Sequence, residues 1–70
     1  MPSYGPELIQ TMREALDEVM ATIPAVQATP EIKAHLAELI LMAAADGQTT
    51  YDELHAAASA QADRLLAVLA

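Results

Sequence analysis

Helix ends constrain this chain more tightly than anything else in it. Thr29-Pro30-Glu31 puts a hydroxyl at an N-cap, a proline at N1 where its missing N–H costs nothing, and an acid in the first turn where the helix dipole favours it. Thr50-Tyr51-Asp52-Glu53 is a capping box, with Glu53 placed to reach back to Thr50. Gly5-Pro6-Glu7 opens an earlier helix, Pro24 closes it, and Gly47 stands where a left-handed C′ residue ends the second one. These signals predict three helices at about 6–23, 30–46 and 50–69, in one domain spanning residues 1–70. The connector 24–28 is long enough to reverse direction, so a mostly antiparallel three-helix bundle is expected.

Composition agrees with an all-α fold. Of the 70 residues, 54% are hydrophobic, yet Phe and Trp are absent and Tyr4 and Tyr51 are the only rings. Alanine and unbranched aliphatics favour helix, and strand formers are sparse. There is no cysteine, hence no disulfide framework or thiolate metal site. The N-terminal residues lack the basic and apolar regions of a signal peptide, and no apolar run approaches the ~20 residues of a membrane span. A cytoplasmic location is the expectation.

Ten acids against three bases give a formal charge of −7. Nucleic-acid affinity comes largely from Lys and Arg on phosphates, so no nucleic-acid partner is expected, and an anionic membrane surface is equally disfavoured. The acids keep an apolar-rich chain soluble. They would also suit a docking face for a basic partner protein.

The run Leu39-Ile40-Leu41-Met42-Ala43-Ala44-Ala45 is apolar around most of a helix's circumference, more than a surface helix needs. On a helical wheel Ile32, Leu36, Leu39, Ile40 and Ala43 form one stripe. Ala34, Ala37, Leu41 and Ala44 form a second at 3-4-3 spacing, and these four are the expected oligomer interface. Glu31, His35, Glu38 and Asp46 mark the polar side with Met42 among them, while Lys33 falls on the opposite flank. In the first helix Leu8, Met12, Ala15, Leu16, Val19 and Ile23 share an arc, with Ile9 and Met20 at its edge. In the third, Leu54, Ala58, Leu65, Val68 and Leu69 form the core arc, Leu66 lies off it, and Ala56, Ala60 and Ala67 line the outside. The surplus on helix two predicts a helical homodimer. An intertwined form, with helix one packed on the partner's hairpin, is equally physical.

Site chemistry is thin. His35 with Glu31 and Glu38, and Asp52 with His55, have the i±3 or i±4 spacing of di-metal bundles, but they lie on polar faces and the bundles use more inward carboxylates. No metal site and no cofactor are therefore expected; a bundle binding metal or a small ligand through His35, Glu38, Asp52 and His55 is the alternative reading. Asp46-Gly47 fails as a calcium loop, because Met42 and Ala44 would occupy ligand positions. A helix-turn-helix in helices two and three would begin its recognition helix with acids. An acyl carrier needs an attachment serine at a helix start, whereas Ser3 lies in the tail and Ser59 in mid-helix. With no nucleophile beside a base, no glycine-rich phosphate loop and no cation cluster, no enzyme activity is expected.

The stretch QATPEIKAHLAELILMAAADGQTTYDEL and the alanine-rich helix after it resemble a family of short uncharacterised bacterial proteins, over most of residues 11–70. The resemblance implies a stand-alone cytoplasmic protein and brings no activity or functional residue with it. The expected function is that of a small acidic helical protein acting by self-association, and through contacts with another protein presenting a basic or apolar surface.

Overall fold

A computed structural model describes residues 5–69, and side chains as far as residue 68. It consists of α1 (Pro6–Thr22), α2 (Pro30–Ala45) and α3 (Tyr51–Leu69). Each boundary lies within one residue of the one expected from the caps.

The caps form as the local chemistry requires. The Thr29 hydroxyl accepts from the Ile32 N–H at 3.3 Å. Thr50 accepts from the Glu53 N–H at 3.2 Å, while its own hydroxyl donates to Glu53 Oε1 at 2.9 Å and its backbone N–H to the same oxygen at 3.4 Å. At the end of α2, Gly47 adopts φ +99°. There the Gln48 N–H donates to the Ala43 carbonyl and the Gly47 N–H to the Ala44 carbonyl, the paired bonds of a Schellman turn. Between α1 and α2, the Gln27 and Ala28 N–H groups close a turn on the Pro24 carbonyl.

Packing follows the wheels with informative exceptions. Met12, Ala15, Val19 and Ile23 from the first helix region join Ile32, Leu36, Ile40 and Ala43 of α2 and Leu54 and Ala58 of α3 in one buried core. Leu8, Leu16, Leu65 and Leu66 pack half-buried around it, so Leu66 belongs to the core margin despite lying off the expected arc. Ala62 is buried as well, a core position the arc did not include.

Three positions correct the sequence reading. Leu39, in the expected inner stripe of α2, is half-buried and outside the core cluster. Ala44 was expected in the outer stripe of α2, but it is 6% exposed and sits within the core. Its single methyl lies one turn beyond buried Ile40 and about 40° round the helix, so the core face of α2 is wider than one stripe. Val68 was expected in the core arc of α3 but is 85% exposed. At 19 residues α3 is longer than α1 (17) and α2 (16), and its last turn is exposed at Val68. Leu69's side chain, Ser3 and Tyr4 lie outside the described side chains.

α1 makes its most extensive contact with α3 and its least extensive with α2. The loosest junction in the bundle is therefore the one between α1 and α2.

Candidate functional site

That junction opens into an apolar groove of about 280 Å³, lined by Ile9, Met12, Arg13, Leu16, Ala37, Ile40 and Leu41. Its floor belongs to the core, since Met12 and Ile40 are buried. Its walls do not: Ile9 is 43% exposed and Leu41 is 46% exposed. Among the described residues Arg13 supplies the sole charge of the lining.

Of the four residues expected on the outer stripe of α2, the groove takes Ala37 and Leu41. Ala34 is exposed just outside the lining, and Ala44 has been absorbed by the core. The contribution of α1 was missed. Ile9 stood at the edge of the amphipathic arc, and the signal that could have found it was the 4-3-4 recurrence of Ile9, Arg13, Leu16 and Met20 on one flank of α1.

Charge is distributed unevenly about the groove. At 100° per residue, Glu7, Glu14 and Glu18 of α1 lie roughly 100–140° round the helix from Arg13. On α2, Glu31 and Glu38 lie on the side opposite buried Leu36 and Ile40, while Lys33 stands beside Ile40 and Ala37. Four of the ten acids, Glu7, Glu31, Asp52 and Glu53, occupy first turns, where they complement helix dipoles. The negative charge is thus mostly a set of helix-start and outward-facing groups, with Asp17, about 40° round α1 from Arg13, the acid nearest the groove face.

A second, smaller cleft of about 180 Å³ lies between α2 and α3, lined by His35, Glu38, Leu39, Met42 and Gln61. His35 Nε2 is 3.5 Å from Gln61 Nε2. On α3, His55 stacks against Tyr51 with ring centroids 5.6 Å apart, and its Nδ1 lies 3.5 Å from Ser59 Oγ. The sequence reading had placed no nucleophile beside a base, so this Ser59–His55 proximity is an addition to it. It remains an i, i+4 contact along one helix, with no carboxylate bonded to His55 among the described residues and so no orienting third group. The Tyr51 phenol is pushed above its ordinary range, first by desolvation and then by the carboxylates of Glu18, Glu14 and Asp52.

The candidate metal residues do not converge. Among the described residues no three His, Asp or Glu side chains are grouped so as to hold a metal ion. His35 and Glu38 line the α2–α3 cleft, whereas Asp52 and His55 sit at the start of α3. No described helix is long and apolar enough to cross a membrane. No protein-family model, curated protein or solved structure matches this chain.

Proposed function

We propose that this chain is a small non-enzymatic interaction protein that works by self-association, as a homodimer joined through the α1–α2 groove. The observation that carries the reading is the groove itself: a contiguous apolar lining whose walls, Ile9 and Leu41, are both more than two-fifths exposed. Exposed apolar surface that is continuous, rather than scattered as single residues, is the mark of a contact surface. Val26 and Val68 are exposed singly and carry no such weight.

Charge restricts which face two copies can share. Two chains of formal charge −7 repel one another, and they associate at least electrostatic cost through the face that holds Arg13 and Lys33 and turns most acids away. Size is compatible as well. A standard interface buries about 800 Å² per partner, roughly a sixth of the 4700 Å² this chain exposes. The outward acids then remain available to a basic protein partner, and the cysteine-free sequence is compatible with the reducing cytoplasm.

Sedimentation equilibrium of the untagged chain tests the proposal. The weight-average mass should rise from the 7.4 kDa monomer toward twice that value as concentration increases from low to high micromolar. A monomer throughout that range overturns it.

A further inference from the structure

We infer that the second copy lays its own α1 antiparallel along the groove, in a register that sets Ile9 against the partner's Met20 and Arg13 against the partner's Asp17. The inference rests on the self-association proposed above and specifies how it is built. Ile9, Arg13, Leu16 and Met20 recur at the 4-3-4 spacing of a coiled-coil seam. This seam is distinct from the buried row of α1: Ile9 and Arg13 are exposed, and Leu16 and Met20 are half-buried.

Pairing Arg13 with Asp17 then selects the register, since two-fold symmetry by itself admits an antiparallel pair centred at any level. In an isologous contact, a residue that meets another on the partner is itself met by that residue's counterpart. An antiparallel pair of α1 helices centred at the level of residue 15 brings residue 13 opposite 17 and residue 9 opposite 20 or 21. Arg13 and Asp17 are both exposed and stand one turn apart on one flank, about 40° round the helix. The two-fold operation therefore creates two ion pairs, with Ile9–Met20 contacts beyond them at either end. Within one copy, the base precedes the acid at i, i+4, which is the weaker order for an intrahelical pair. An occupant of this groove needs an acid to meet Arg13 and apolar residues beside it. The chain's own α1 has that pattern.

Charge reversal separates this register from a general charge effect. Sedimentation equilibrium is run on wild type, R13E, D17R and the double variant R13E/D17R, with circular dichroism to confirm helicity at these two exposed positions. Each single reversal should weaken the dimer by about tenfold, because both symmetric pairs turn from attraction to repulsion. The double variant should return to within about threefold of wild type. R13E makes the chain more negative and D17R makes it less so. A net-charge effect alone would therefore weaken one dimer and strengthen the other, and that outcome overturns the register. So does a double variant no tighter than the singles, or singles that bind like wild type. A wild-type chain that stays monomeric overturns the self-association itself. A wild-type dimer that L41E disrupts while the charge cycle shows no coupling removes only the register.

Discussion

Leu41 is the position at which the groove can be weighed energetically. At 46% exposure, about half of its side chain is already out of water in the single chain. Fully burying a leucine is worth roughly 1.5–3 kcal/mol, so about 1 kcal/mol per copy remains to be gained on association. A symmetric dimer gains it twice, about 2 kcal/mol. Leu41→Ala should therefore raise the dimer Kd roughly 30-fold and lower the stability of the single chain by about 1 kcal/mol. Leu41→Glu should go further, since it places two unpaired carboxylates against apolar walls, at a cost of several kcal/mol each. In the separated chain the same carboxylate reaches water, so L41E should remain a folded monomer. The assay pairs sedimentation equilibrium with thermal melts at two concentrations about a hundredfold apart. Wild-type Tm should rise with concentration, because association stabilises only the folded state, and L41E should show no such rise. An L41E dimer of wild-type affinity would refute the reasoning. So would an L41A variant that loses stability with its Kd unchanged, since that would confine Leu41 to the fold.

Three further outcomes follow from local geometry. Gly47→Ala should cost about 1–2 kcal/mol in urea unfolding, because φ is +99° while a Cβ there meets nothing within 4 Å; a loss below about 0.3 kcal/mol would show that the turn adapts to an L side chain. Thr50→Ala removes both hydroxyl contacts of the capping box and should cost about 1 kcal/mol, with Thr50→Ser restoring most of it; equal losses in both variants would assign the effect to something other than the cap. In a Tyr4→Phe variant, which leaves Tyr51 as the single phenol, titration followed at 295 nm should give a midpoint above the ordinary value of 10.0, and Glu18→Gln should lower it. Because the folded-state pKa is the higher one, the stabilisation is fully present below the unfolded pKa and is lost as pH rises through the folded value. A midpoint at or below 10.0, with helicity retained, contradicts that placement of Tyr51.

The parts of this fold that were legible in the sequence depend on residues three or four apart. Thr29, Gly47, and Thr50 with Glu53, set their helix ends through bonds that close within one turn, so their pattern survives any arrangement of neighbours. The inner row of α1 and, apart from Leu39, that of α2 were legible for the same reason. What escaped depends on how the helices sit against one another. Val68 falls on the expected arc of α3 but in its exposed last turn, and a wheel has no lengthwise coordinate. Ala44 was assigned by angle alone, yet one methyl beside Ile40 is covered wherever the adjacent helix is close. The groove was half legible. Ala37 and Leu41 followed from the surplus stripe on α2, whereas Ile9 and Arg13 became wall residues only because α1 packs more closely on α3 than on α2.

That unequal packing has a cause in the composition of the core. Among the described residues twelve are buried; five of them, Ala15, Ala43, Ala44, Ala58 and Ala62, are alanines and none is aromatic. Alanines let helix backbones approach closely, but each contributes a single methyl of buried area. Ala15 on α1 and Ala58 and Ala62 on α3 permit a tight α1–α3 contact. α2 brings the larger Leu36 and Ile40 to the centre, while Ile9 and Leu41 at the edge remain partly exposed. A chain of this length buries only about 60% of its unfolded surface, so an alanine-rich core leaves a small margin of stability. A second copy seated in the groove adds leucine, isoleucine and methionine contacts where the single chain has few. Under the proposed dimer, association would stabilise only the folded chain, so folding and association should respond together to dilution.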